Sequence, residues 1–352
     1  MYPALAITAE LNRSVEVLWV GSEGGMEASL VERAGVRFVS VPAAGLHGVG
    51  LRALPGNLRQ LARGVAAARR VVRGFQPHAL LLTGGYVGVP VALAARRVPK
   101  LVYVPDIEAG QALRLMARFA DTLAVTADES LAHLPKRPRV CVTGYPTRSD
   151  LRRGDRRHAR QHFGLDPDQP VVLVFGGSKG ARSLNEAVWE SLEVLLGLAQ
   201  VVHITGSLDW PRTETQLQQL APALAQRYRP CAYLHEEMGL ALAAADLAIA
   251  RSGAATLGEL PLFGLPGVLV PYPHAWRYQT VNAEFLAQRG GAVCCEDRDI
   301  AHRLVPLVRE LLGDPGRLRS MRQAMERMAR PQAAAEIASE VERLLGEAGH
   351  RG

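Results

Sequence analysis

Cysteine is scarce in this chain, and its arrangement excludes two classes of protein. Four occur in 352 residues: Cys141, Cys231, Cys294 and Cys295. None forms a CxxC spacing, and the adjacent pair Cys294-Cys295 is poor geometry for a shared metal. A disulfide scaffold and a zinc ribbon are thereby set aside, leaving free thiols of a reducing compartment. No apolar run reaches the length of a membrane span, and no signal-peptide pattern opens the sequence. We expect a cytosolic protein whose contact with membrane, if any, is peripheral. The glycine-rich segments contain neither GxxxxGK[ST] nor an unbroken GxGxxG. P-loop chemistry is therefore not indicated, and a dinucleotide oxidoreductase is a poor fit.

What is present suits a packed, two-domain protein. Hydrophobic residues make up 48% and charged residues 21% of the chain. The length exceeds what one core usually organises. Lys and Arg outnumber Asp and Glu, 41 to 34, for a formal charge of +7. That surplus suits phosphates, nucleotides, an anionic lipid face or nucleic acid without choosing among them.

Short apolar runs alternate with longer amphipathic ones. Runs at residues 15–20, 79–83, 101–104 and 122–126 occur in the first half. Others occur at 171–175, 200–205, 247–250 and 267–270 in the second. Most lack polar alternation, as strands buried on both faces do. Helical stretches such as 57–74 and 184–198 lie between them. Repeated β-then-α order predicts parallel sheets with helices on both sides, an α/β doubly wound architecture. The series runs twice, with a connection around residues 145–152. The predicted domains are 1–147 and 148–331, with a C-terminal helix at 332–348 returning to the first. Two such domains imply a cleft, with ligands at the carboxyl ends of strands.

Three strand-to-helix junctions are rich in glycine: TGGYVGVP at 83–90, FGGSKGARSLN at 175–185 and RSGAATLGE at 251–259. Each leaves backbone N–H groups free at a helix start, where the dipole favours an anion. Any one of them is explained by tight turning alone; three together favour a phosphate ligand. Glu259 ends the third junction, one helical turn after its glycine turn. There a carboxylate can accept two hydrogen bonds from a ribose diol, or simply sit well in a first helical turn. The segment 270–282, VPYPHAWRYQTVN, gathers His, Arg, Gln and Asn suited to a sugar, a base or phosphate. Asp166-Pro167-Asp168 spells a DxD but sits in ordinary turn chemistry, so no metal is expected there.

With LLTGGYVGVP at 81–90, PYPH at 271–274 and QTVN at 279–282, these motifs resemble the MurG family over nearly the whole chain. That family transfers N-acetylglucosamine from UDP-N-acetylglucosamine to undecaprenyl-pyrophosphoryl-N-acetylmuramoyl-pentapeptide. The resemblance implies a GT-B fold, two Rossmann-like domains facing a cleft, with the donor held mainly by the second. It places Ser178 at the donor diphosphate, His235 beside the uracil, and Ala254, Ala255 and Thr256 as amide donors to the diphosphate. It places Glu259 on the ribose, Gln279 on the N-acetylglucosamine, and Arg148 against the donor from the hinge. Gly84, Gly85 and Tyr86 are the acceptor-side candidates.

The implied reaction inverts the anomeric centre as the muramoyl C4 hydroxyl attacks and UDP leaves. It implies no cofactor and no metal. The implied partners are UDP-N-acetylglucosamine, an undecaprenyl-linked acceptor and an anionic membrane surface at the cytoplasmic face, and not nucleic acid. The stretch 51–75 mixes Leu54, Leu58, Leu61, Val65, Val71 and Val72 with Arg52, Arg59, Arg63, Arg69, Arg70 and Arg73. It reads equally as a lipid-facing helix or an amphipathic helix with a solvated basic face; the family favours the former.

Two departures bear on chemistry. The family opens with a strand and a GGTGGH loop just before a segment like Tyr2-Pro3-Ala4-Leu5-Ala6. The histidine of that loop is its base candidate. Met1 stands where the family commonly has valine, and a GTG codon can be read as a start. We expect the gene to begin upstream; a stop codon with no in-frame GGTGGH-like sequence would refute this. A chain this short would fold weakly in its first domain and transfer little sugar. The second departure is VPDIE at 104–108, where the family has an HEQN-like sequence. It leaves Asp106 and Glu108 as candidate carboxylates in the general-base role. The alternatives are a UDP-N-acetylglucosamine 2-epimerase, another GT-B transferase, or a UDP-sugar-binding protein without turnover.

Overall fold

The computed structural model describes the chain except residues 12–14, 25–26, 44–53, 137, 149–150, 152–153, 178–179, 275–276 and 350–352. Ser178 and Arg52, both singled out by the sequence, lie outside the described residues. So do the side chains of Leu54 and Leu58.

The chain divides into two compact units, Met1–Arg148 with Gln332–Gly352, and Ser149–Pro331. Arg148 thus belongs to the first unit rather than opening the second. The first unit contains α1 (Tyr2–Glu10), β1 (Leu18–Ser22), α2 (Ala28–Arg33), β2 (Arg37–Val41), α3 (Leu54–Phe75) and β3 (Leu80–Leu82). It continues with α4 (Gly88–Ala94), β4 (Lys100–Val104), α5 (Gln111–Ala117), β5 (Thr122–Val125) and β6 (Arg139–Val142). The second contains α6 (Arg156–His162), β7 (Val171–Phe175), α7 (Arg182–Glu190), α8 (Leu192–Leu198), β8 (Gln200–Ile204), α9 (Trp210–Gln219) and α10 (Pro222–Ala225). Then come β9 (Tyr228–Cys231), α11 (Met238–Ala244), β10 (Leu247–Ala250), α12 (Thr256–Phe263), β11 (Gly267–Leu269), α13 (Tyr278–Gln288), β12 (Ala292–Cys294), α14 (Ile300–Leu312) and α15 (Pro315–Met328). The last helix, α16 (Ala333–Gly349), returns to the first unit.

In the second unit six parallel strands run in the order β12-β11-β10-β7-β8-β9. Counted from β7, this is the doubly wound order 3-2-1-4-5-6, whose direction of winding reverses between its first and fourth strands. Here those strands are β7 and β10. Every residue of Val171–Phe175 is buried, because helices cover both faces and no polar side chain is tolerated. The core on one face joins Val172, Val174 and Ile249 to Leu184 and Val188 of α7, Leu195 of α8, and Leu304 and Val308 of α14.

The first unit carries a two-stranded parallel sheet, β1-β2, and a four-stranded one, β3-β4-β5-β6. Strand β4 alternates between two cores. Val102 and Val104 meet Leu113 and Met116 of α5; Leu101 and Tyr103 meet Ile7 of α1 and Ile337, Val341 and Leu344 of α16. Helix α16 is pinned at its edge as well. Arg139 reaches Glu340 at 2.9 Å, and Arg343 donates to the Thr122 hydroxyl at 2.8 Å.

The helical stretch expected at 184–198 is two helices, not one. Ser191 leaves helical geometry with ψ 12°, and its hydroxyl donates back to the Ala187 carbonyl at 2.7 Å. Such a bond competes with the helical ladder. The described part of α3 turns Arg59, Arg63, Arg69, Arg70 and Arg73 outward, while Leu61, Val65, Val71 and Val72 are half-buried. No helix among the described residues is long and apolar enough to cross a membrane.

Candidate functional site

Phe175 at the end of β7 pairs directly with Ala250 at the end of β10. Both strands run straight into glycine-rich turns, so the two turns leave the switch point side by side. In the first, Gly180 has φ 79°, and its N–H donates to the Gly177 carbonyl at 2.9 Å. A Cβ on Gly180 would collide with the Thr205 carbonyl. Glycine is therefore required both by conformation and by the close approach of β8's exit.

Helix α7 begins at the end of this turn and is anchored on two sides. On the β8 side, Asn185 donates through Nδ2 to the Thr205 carbonyl and to Asp209 Oδ2, both at 2.8 Å. Arg182 donates to Asp209 Oδ1 at 3.0 Å through Nη2. Asn185 Oδ1 faces His203 Nε2 at 3.0 Å. Since that amide oxygen can only accept, Nε2 carries the imidazole proton, and Nδ1 accepts from the Tyr228 hydroxyl at 2.9 Å. Burial pushes the His203 pKa down to about 3, against a small opposing pull from Asp209. The imidazole is a neutral strut. On the other side of α7, Ser183 and Arg251 hydrogen-bond at 2.7 Å.

The second turn uses some of its own amides. Thr256 N–H donates to the Gly253 carbonyl at 3.0 Å, and Leu257 N–H to Ala254 at 3.1 Å. The Thr256 hydroxyl also bonds Gly253, at 2.7 Å. Thr256, expected as an amide donor to an anion, also closes the turn. The N–H groups of Ala254 and Ala255 make no hydrogen bond among the described residues, and α12 starts directly behind them. Glu259 lies in the first turns of α12 and is half-buried.

The loop after β11 is held to this turn. Ser252 Oγ donates to the Gln279 carbonyl at 2.7 Å, and buried Asn282 donates to the Ser252 carbonyl at 3.2 Å. Gln279 Oε1 accepts from Tyr272 N–H at 2.9 Å. An N–H only donates, so the oxygen of the amide faces the loop and Nε2 is left to donate outward. Ala254, Ala255, Thr256 and Gln279 are therefore one connected set. His235 is exposed after β9, its ring 4.6 Å from that of Tyr233.

In the first unit Gly84 and Gly85 have φ of 106° and 80°, and Tyr86 beside them is 52% exposed. Glu108 is buried and ion-paired to Arg114 at 2.9 Å. Arg114 also donates to the Ala109 carbonyl at 2.8 Å, so the pair ties Glu108 to the segment entering α5. Asp106 is the less buried of the two candidate carboxylates. The Arg148 guanidinium lies 4.7 Å from the centre of the Tyr2 ring. Asp166 forms a turn, its carboxylate accepting from Asp168 N–H and from Gln169, each at 2.9 Å. Sequence reasoning missed His203 and Asp297; Arg251, Ser183 and Asn185 stood inside quoted motifs without a role, and Asn282, singled out for a ligand, is spent on the Ser252 carbonyl.

Residues 1–125 match the glycosyltransferase family 28 N-terminal domain and residues 171–339 its C-terminal domain. A UDP-N-acetylglucosamine--N-acetylmuramyl-(pentapeptide) pyrophosphoryl-undecaprenol N-acetylglucosamine transferase from Roseiflexus is 39% identical, over 98% of this chain and 92% of its own. Among solved structures, MurG of Acinetobacter baumannii is 26% identical with a TM-score of 0.75, covering 97% of this chain and 95% of that one. A putative UDP-N-acetylglucosamine 2-epimerase from Listeria monocytogenes shares the fold, with a TM-score of 0.72 at 15% identity over 99% and 95%. The two α/β units are those of the GT-B fold. Likeness in sequence over almost the full length, joined to that fold, makes this chain a member of the MurG family within glycosyltransferase family 28.

Proposed function

We propose that this chain is an inverting N-acetylglucosaminyltransferase. It takes its sugar from UDP-N-acetylglucosamine and joins it to the C4 hydroxyl of the muramoyl sugar in undecaprenyl-pyrophosphoryl-N-acetylmuramoyl-pentapeptide. The observation that carries the reading is the Phe175–Ala250 pairing, which sets two glycine turns together at a winding reversal. The amides of Ala254 and Ala255, together with Ser178, hold the diphosphate. The positive end of α12 adds to their pull. Glu259 accepts from the ribose hydroxyls, and Gln279 donates Nε2 to the sugar. His235 flanks the uracil, and Arg148 is the remaining residue assigned to the donor. As UDP leaves, negative charge grows on the diphosphate beside amides already in place, which is where preorganised donors act most strongly.

Gly84, Gly85 and Tyr86 are assigned to the acceptor. Asp106 and Glu108 are the two candidate carboxylates for the base role. Association with the membrane is peripheral, at the cytoplasmic face, through the outward arginines of α3, which suit anionic lipid. The test is incubation with labelled UDP-N-acetylglucosamine and the lipid acceptor. Equal amounts of UDP and a disaccharide-lipid are expected. An epimerised donor formed without acceptor would refute the reading. Donor binding with no transfer would favour a binding protein without turnover.

A further inference from the structure

Arg251 is buried to 6% exposure at the end of β10. It donates to the Val270 carbonyl at 3.1 Å and to the Ser183 hydroxyl at 2.7 Å, and forms an ion pair with Asp297 at 2.5 Å. Ser183 in turn donates to Asp297 Oδ1 at 2.8 Å. Arg251, Ser183 and Asp297 thus close a ring of three. The ring joins the start of α7, the exit of β10, the loop leaving β11 and the short 3-10 turn after β12 (Asp297–Asp299). These are the segments carrying both glycine turns and Gln279. Asp297 is the sole carboxylate in the ring and belongs to none of the sequence motifs. Without it, Arg251 keeps its charge in a buried position, and Ser183 loses the acceptor that orients its hydroxyl.

We propose that Asp297 is a positioning residue for the donor site. It touches no substrate; it fixes Ser183 and Arg251, and through them holds the two phosphate-binding turns and the sugar loop in one register. The inference rests on the donor-site reading above. Displacement of groups that must meet one ligand together is costly even when each survives.

The test uses the full chain with Asp297→Ala, Asp297→Asn and Ser183→Ala. Binding of UDP and UDP-N-acetylglucosamine is measured by calorimetry, and donor KM, acceptor KM and kcat by transfer assay. We expect Asp297→Ala to raise donor Kd and KM about tenfold, with acceptor KM unchanged and kcat lowered less. Asp297→Asn retains an oxygen acceptor and should recover most of the loss. Ser183→Ala should weaken donor binding in the same direction and add little on top of Asp297→Ala, because both act through one ring. Parent-like donor binding in Asp297→Ala would overturn the proposal, whatever its Tm. If Asp297→Ala does not fold, unaltered donor binding in Ser183→Ala would overturn it instead. Failure of the parent chain to bind UDP would refute the donor-site reading, and the proposal with it.

Discussion

His203 makes the stability of the second unit depend on pH in a calculable way. The folded imidazole titrates at about 3, against an ordinary value of 6.5. Between those values the unfolded chain binds a proton that the folded one refuses. The contribution is therefore complete above the ordinary value and is lost progressively as pH falls toward the folded one. Each pH unit in that window costs about 1.4 kcal/mol, so moving from pH 7 to pH 5 removes about 2 kcal/mol at this residue alone. His203→Gln abolishes the titration while offering an amide to Tyr228 and Asn185. The variant starts less stable by ~1–3 kcal/mol, the usual cost of an imperfectly remade buried hydrogen bond. Its further loss between pH 7 and pH 5 should then be smaller than the parent's by about 2 kcal/mol. Urea unfolding at the two pH values, followed by tryptophan fluorescence, measures both. Three of the four tryptophans, Trp189, Trp210 and Trp276, belong to the second unit. Equal losses in parent and variant would refute the buried, neutral imidazole.

Gln279→Glu keeps the acceptor for Tyr272 N–H and removes the outward donors, whereas Gln279→Ala removes both. Either should weaken UDP-N-acetylglucosamine several-fold, on the scale of about 1 kcal/mol per lost hydrogen bond. Greater loop protease sensitivity should appear only with Ala; equal sensitivity would refute the assigned amide orientation. Glu259→Ala should weaken UDP at least about tenfold, as bonds to a charged acceptor are worth ~1.5–3 kcal/mol. The loss should shrink for 2′-deoxy-UDP, and an undiminished loss would place the carboxylate elsewhere. Removing residues 332–352 strips Ile337, Val341 and Leu344 from the first unit's core, each worth ~1.5–3 kcal/mol when buried. Limited proteolysis should then degrade the first unit while UDP binding persists; a protease-resistant first unit would refute the assignment of α16.

The sequence reveals interior strands far better than edges. The continuous apolar runs at 171–175 and 247–250 coincide with β7 and β10, which lie at the centre of their sheet. The strands with no such run are β2, β6, β9 and β12, and all four are edges. Strand β6 is largely exposed, and β9 contains Pro230, tolerable where one side of a strand lacks a partner. The same divide holds in the site. The glycine turns are local in sequence and announce themselves. Asp297 lies 114 positions from Ser183, and only the winding of the sheet brings them together. How the second turn closes is equally invisible, because nothing in RSGAATLGE marks that the Thr256 N–H returns to the Gly253 carbonyl.

Helix α16 carries a consequence for biosynthesis. The first unit is written in two pieces, one at each end of the chain, and the second is written whole between them. A ribosome delivers the second unit's full complement of strands before it delivers Ile337. The domain first in sequence is therefore the last able to complete its core, the reverse of the usual N-terminal-first order. Until the final helix emerges, Leu101 and Tyr103 remain without the cover that α16 supplies.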